Sequence, residues 1–261
     1  MKALTKTEIA VMTGRTVFLN AVKDVADGMG KSERAIKASS NAKIGKVITR
    51  GAWKGAKIYS LTVEERVTCN RTCRHWADCY GNNMPFATRH VVNDALIQQI
   101  EQDLTYYQAQ TDKENARRQK LAAKHGIAFS PIVFAVRLHV LGDFASVEYV
   151  AQWAKWFGMF PSLRVWGYTH WNPGTPIGDA VLSLREALGG LDARQGGRFC
   201  IRFSDETEGG AGALSDTHPL AADLAESGKA FICPEQTGQT KDCGTCALCW
   251  TSAKHVIFKT H

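Results

Sequence analysis

From residue 57 onward two kinds of periodicity alternate along the chain, and this alternation limits the fold more than any other feature. Runs rich in β-branched and aromatic residues at 57–62, 131–140, 163–169, 198–203, 230–233 and 255–259 read as strands. Between them, 83–110, 146–160, 177–188 and 219–227 carry apolar residues at helical spacing. Trp153, Trp156, Phe157 and Phe160 make one core stripe, and Gly189-Gly190 closes the helix before it. The charged stretch 112–126 is a helix extension or connector, 206–216 a Gly/Glu loop, and 243–254 a turn or helix. Such repetition predicts parallel strands joined by helical crossovers. The expected class is α/β: a parallel (β/α) complete or partial barrel of about six strands over 57–261. Residues 1–56 are expected to form a basic N-terminal appendage that opens with a helix over 5–26.

Hydrophobic residues make up 44% of the 261 and charged ones 22%, enough apolar surface for a real core, so wholesale disorder is excluded. No apolar run reaches the ~18 residues of a membrane helix; 132–144 is cut by Arg137 and Asp143. Lys2 is followed soon by Glu8 and by no long apolar core, so no leader is expected. A cytoplasmic protein with no membrane partner is the expectation.

The charge is local. Lys31, Arg34, Lys37, Lys43, Lys46, Arg50, Lys54 and Lys57 face one acid, Glu33, so residues 31–57 carry +7, the net charge of the whole chain. Ser, Gly, Asn and Trp53 are interleaved. A solvated arm has this composition, and so does a segment that contacts the phosphates of DNA or RNA.

Seven of the eight cysteines fall into two groups. Cys69, Cys73 and Cys79 follow the first strand. Cys233-Pro precedes Cys243, Cys246 and Cys249, which are separated by two residues each. Spacing this short lets thiolates converge on one ion or cluster. Three ligands leave a position for His75 on zinc, or for a non-protein ligand on a 4Fe–4S cluster. The second group suits a ferredoxin-type iron–sulfur site, or zinc completed by His255 or His261. Cys200, alone in an apolar strand, reads as a buried core thiol.

Chemistry in parallel α/β folds collects at the C-terminal ends of strands. Polar residues stand there in Arg137-Leu-His139-Val-Leu-Gly142-Asp143, in Tyr168-Thr-His170, in Arg202-Phe-Ser204-Asp205 and in Cys233-Pro-Glu235-Gln236. Alternation places Arg137, His139 and Leu141 on one face. Asp143, Asp205, His139 and His170 are the catalytic candidates. Gly142, Asp143, Tyr168, Arg202 and Ser204 are the candidates for holding a cofactor.

Taken together, Trp53-Lys-Gly, Ile58-Tyr-Ser-Leu-Thr, the Cys69–Met84 segment, Arg137–Phe144, Gly167-Tyr-Thr and Cys233-Pro through Cys249-Trp250 resemble the gene-product-88-like proteins of phages and prophages over roughly residues 43–261. That resemblance implies a phage or mobile-element origin, and hence a host cytoplasm. A second resemblance is to the radical S-adenosylmethionine enzymes, with Cys69/Cys73/Cys79-Tyr80 in the cluster loop and Gly142-Asp143 at the end of the next strand. It implies a 4Fe–4S cluster whose open iron binds S-adenosylmethionine, with Asp143 accepting from the cofactor's ammonium group. The expected function is a metal-cluster enzyme that modifies a nucleic acid or nucleobase. Two alternatives stand beside it. One is an enzyme similar to the guanine and deazaguanine transglycosylases, with Asp143 or Asp205 as nucleophile and a structural zinc. The other is a non-catalytic, metal-stapled nucleic-acid-binding protein.

Overall fold

A parallel sheet organises the computed structural model, which describes residues 4–28, 33–207 and 211–260. In chain order the elements are α1 (Lys6–Thr13), β1 (Val22–Lys23), β2 (Lys37–Ala38), β3 (Lys57–Ser60), β4 (Arg89–His90), α2 (Asp94–His125), β5 (Phe134–Arg137), α3 (Val147–Met159), β6 (Leu163–Thr169), α4 (Pro176–Ala187), β7 (Phe199–Phe203), β8 (Ala213–Ser215), α5 (Ala221–Glu226), β9 (Ala230–Ile232), α6 (Cys243–Cys246), α7 (Leu248–Thr251) and β10 (His255–Phe258). The main sheet runs β2-β3-β5-β6-β7, and β8-β10-β9 form a second. Every pairing in them is parallel except β2–β3. A bridge from Ser204 to Ala213 links the two sheets.

Each of the six expected strands is present, and the architecture is α/β with parallel sheets. Four strands of two or three residues were not legible, because so short a run has no periodicity of its own. Other boundaries move for local reasons. The helix expected over 5–26 ends at Thr13, where Gly14 turns left-handed (φ 66°). The helix expected from 83 starts only after Asn93, whose side chain caps Leu96 N–H at 3.0 Å. It then runs unbroken to His125, so 112–126 is no separate connector.

The sheet buries both faces. On one, Phe134, Val136, Leu163, Val165, Phe199 and Ile201 pack under Leu96, Ile100, Leu104, Trp153, Trp156, Phe157 and Val181 of α2, α3 and α4. On the other, Ile58, Ala135, Trp166 and Cys200 meet Ile44, Ile48 and Trp53 together with Ala247, Cys249 and Trp250. Trp53 and Trp250 stack with centroids 5.5 Å apart. The basic segment is therefore no detached arm. Its apolar residues seal the second face, while Lys37, Lys46, Arg50, Lys54 and Lys57 remain exposed. Lys31 lies outside the described residues. Among the described residues no helix is long and apolar enough to cross a membrane.

Candidate functional site

The second face of the sheet opens, at the C-terminal ends of its strands, on a cavity of about 540 Å³. Cys69, Cys73 and Cys79 line it, and so do Cys233, Cys243 and Cys249. The two cysteine groups, 154 positions apart between Cys79 and Cys233, are brought to one chamber by the parallel crossovers. Burial is the main reason that six of the grouped thiols are hard to ionise: Cys73 and Cys246 are pushed up to about 11, and Cys69, Cys79, Cys233 and Cys243 also rise. Neighbouring thiols of the same group raise Cys69, Cys73, Cys243 and Cys246 further, as close thiols do. Among the described residues no three His, Cys, Asp or Glu side chains already converge as a metal-ligand set. Ligation would have to expel the thiol protons and draw the sulfurs together. The donor set fits such a group: free thiols with no disulfide among them, three of each group lining the cavity.

The first cysteine loop hangs on buried charges. Arg89 uses all five of its N–H donors, on Glu65 Oε1 and Oε2 and on the carbonyls of Gly81, Met84 and Ala87. Arg66, left-handed at φ 67°, reaches Trp76 O, Arg15 O and Asn82 Oδ1. Arg15 binds Glu64 at 2.6 Å, Thr16 Oγ1 donates to Glu65, and Trp76 Nε1 donates to Val11 O. Residues near the N-terminus thus brace the loop. Arg74 and Asp205 join it to the end of β7 at 3.3 Å.

The second group hangs on backbone. Cys243 N–H and Gly244 N–H donate to Lys43 O and Ile44 O, and Thr49 N–H donates to Gly244 O. Only glycine fits at 244, since a Cβ there would meet Val47 O and Ile58. Arg202 also uses five N–H donors, on the carbonyls of Cys249, Ala211, Lys254, Leu248 and Ser252. This corrects the expected role of Arg202. It is fully buried and clamps the cysteine turn instead of reaching a ligand.

Other candidates divide. Asp143 lines the cavity, but its Oδ1 accepts Phe144 N–H and its Oδ2 accepts His170 N–H, both at 2.8 Å. Burial pushes it up to about 7 against the pull of those bonds. Gly142, left-handed at φ 78°, is a packing glycine, for a Cβ would collide with Val63 and Thr68 just before Cys69. The alternation expected through His139 fails because β5 ends at Arg137 and His139 turns left-handed (φ 51°). Its ring packs edge-on to Phe144, with Nε2 3.3 Å from Tyr149 Oη, and burial lowers it to about 3. His139 is thus buried in the core beside Phe144 and Tyr149 and also lines the cavity. Tyr168 Oη donates to Cys249 Sγ at 3.0 Å. His170, Ser204 and Asp205 reach the cavity, with His170 Nε2 3.7 Å from Asp205 Oδ2. His75 lines it as well, its ring 6.5 Å from that of His170. His255 does not line it, and its Nδ1 accepts Gly212 N–H. His261 lies outside the described residues. Cys200 is buried, as expected.

The family model for gene product 88 matches residues 29–252. The chain belongs to the gene product 88 family. No curated protein and no solved structure matches it. The gene product 88 match begins earlier than the resemblance over 43–261 and stops sooner. It takes in the basic segment, all seven grouped cysteines, Arg89 and Arg202, and leaves out α1 and β10. The bracing residues Glu65, Arg66 and Arg89 escaped the sequence reading. Their one signal was the charged run Glu64-Glu65-Arg66 directly after a strand, which reads equally well as surface.

Proposed function

We propose that this gene product 88 protein is a metal-cluster enzyme, with iron–sulfur clusters on its two cysteine groups, that modifies a nucleic acid or nucleobase. One observation carries the reading: six thiols line a single cavity at the C-terminal ends of parallel strands, where such folds gather their chemistry. Ligand number separates the two groups. Cys69, Cys73 and Cys79 would hold a 4Fe–4S cluster and leave one iron for an outside ligand such as S-adenosylmethionine; Cys233, Cys243, Cys246 and Cys249 would close their site. When bound, the clusters supply one-electron transfer and, at the open iron, a place for that ligand. The chain's own residues do the rest. Burial holds His170 below its ordinary pKa and so neutral, with Nε2 able to take a proton and Asp205 beside it to favour the resulting charge. Asp143 locks the β5 and β6 ends together, and the Arg74–Asp205 pair holds the first loop against β7.

The exposed lysines and arginine around the β2–β3 edge support a nucleic-acid partner. Neutralising Lys46, Arg50, Lys54 and Lys57 should weaken binding and lower the salt slope by about 0.9 per lost phosphate contact. Salt-insensitive, unchanged binding would end that part of the reading.

Zinc on the same thiols, in a non-catalytic binding module, is the second reading. The complete clamping of both cysteine loops by Arg89 and Arg202 favours it, because a structural staple needs only rigidity. The transglycosylase reading has less support, since neither Asp143 oxygen is free of a backbone donor and Asp205 faces Arg74. Anaerobic purification followed by iron, sulfide and zinc analysis tests the proposal. Iron with sulfide is expected, falling by part when Cys69, Cys73 and Cys79 are changed to serine, and by the remainder when Cys243, Cys246 and Cys249 are. Stoichiometric zinc without iron would overturn it.

A further inference from the structure

Of the arginines that meet the cysteine loops and the chamber, Arg89, Arg202 and Arg137 differ in one respect. Arg89 and Arg202 have every N–H donor occupied, one on each cysteine loop. Arg137, at the end of β5, lines the cavity between those loops. Its Nη1 donates to Leu138 O and His139 O. Its guanidinium lies 4.8 Å over the Tyr168 ring. Nε and Nη2 have no partner among the described residues. Among the described residues no ion pair joins it to a carboxylate; Asp143 feels its charge, but the acids of the same wall are bonded elsewhere, Glu65 to Arg89, Asp205 to Arg74, Asp78 to His75 and Asp143 to two backbone amides. A guanidinium fixed on one side by two carbonyls and a ring, with the fork Nε–Nη2 left over, is preorganised for a bidentate oxyanion.

We propose that Arg137 is the anion anchor of this cavity and binds the phosphate of a mononucleotide-sized ligand seated between the two cysteine groups. The inference deepens the function proposed above by naming the class of ligand, and it rests on that reading only for the ligand's being a nucleotide. The other linings agree. Lys259 adds positive charge at the same cavity, where Lys43 is paired with Glu235 at 3.2 Å, and Tyr80, Tyr168 and Phe258 offer aromatic surface for a base. About 540 Å³ is far more than an inorganic phosphate needs and lies within the range of small-ligand sites.

Calorimetric titration of the purified holoprotein with deoxyguanosine 5′-monophosphate, deoxyguanosine and S-adenosylmethionine tests the proposal, with metal content measured on the same samples. The monophosphate should bind at least about tenfold more tightly than the nucleoside, as a charge-assisted pair of hydrogen bonds requires. Arg137→Gln should erase that preference, and Arg137→Lys should keep part of it, since charge without a fork remains. Because a variant can fail to fold, competition on the unaltered protein is the second arm: inorganic phosphate should displace the monophosphate and leave nucleoside binding unchanged. Equal affinity for nucleotide and nucleoside, or full monophosphate binding by a folded Arg137→Gln, would overturn the proposal. So would loss of S-adenosylmethionine binding alone in that variant, which would make the anchor one for a carboxylate. Each of those results leaves iron content untouched, so failure of the anchor is distinguishable from failure of the cluster reading.

Discussion

The two cysteine loops reach the same chamber, each clamped by a buried arginine, but with different partners for the charge. The first, 69–83, is a long excursion with little main-chain pairing to the sheets. It is held by buried charge: the Arg89–Glu65 pair, both side chains almost wholly buried, and Arg66 across the loop. The second, 243–251, is two short helical turns tied to residues 43–49 by backbone bonds and wedged by stacked tryptophans. Charge-held loops fail when one partner is lost and recover when both are replaced, because the penalty is the orphaned charge. The second loop has a buried charge too, Arg202, but that guanidinium is answered by main-chain carbonyls, so it has no single charged partner to remove.

The largest test of this contrast is at the clamps. Arg89→Met should destabilise the protein by about 3–5 kcal/mol, and adding Glu65→Leu should recover much of it. Denaturant unfolding reads both. An equally unstable double variant would remove charge pairing as the support of the first loop. Trp250→Ala should cost about 3–5 kcal/mol, the range for a large aromatic removed from a core. Thiol titration should then find Cys243, Cys246 and Cys249 reactive, with Cys69, Cys73 and Cys79 protected; uniform exposure of all six would show that the loops are not independently supported.

Acid should sharpen the comparison. His139 is held near 3 and His90 near 4 by burial, well below the ordinary 6.5, and both lie on segments that pack beside the first loop. The unfolded chain binds more protons than the folded one between those values and 6.5. Stability from these groups is therefore complete above about pH 6.5 and is lost as pH falls through the window. His139→Asn, which tolerates the left-handed backbone, should flatten the slope of unfolding free energy against pH between 4 and 6.5. An unchanged slope would mean that His139 is not held neutral. The smallest effect is expected at the loop's outer tie. Asp205→Asn removes a half-exposed pair with Arg74 and should cost only about 0.2–1 kcal/mol, less at high salt. A larger loss would make that tie part of the first loop's main support.

Much of the fold was legible because strand and helix periodicities are properties of short windows. All six strands from β3 to β10 that span three or more residues, β8 excepted, announce themselves by composition, and the helices by apolar spacing, whereas the cap at Asn93 that sets the start of α2 went unread. The site was legible only in its residue types. Cysteine spacing marked seven candidate ligands, but spacing carries no information about which distant segments share a cavity. Arg137, Arg89 and Arg202 look alike in sequence, each a charged residue in or beside an apolar strand. Their roles part only when the acceptors around them are known.

What the sequence by itself determined is the local grammar: alternating strand and helix, two cysteine groups, and a basic segment that carries the whole net charge. Those follow from side-chain period, spacing and count, which need no third dimension. The tertiary structure alone decided that the basic segment's apolar residues close one face of the sheet, that both cysteine groups open on one cavity, and that one arginine there retains free donors. The physical reason is that burial and hydrogen-bond saturation depend on which groups meet across long separations in the chain. Parallel crossovers set those meetings by bringing the C-terminal ends of successive strands to one rim.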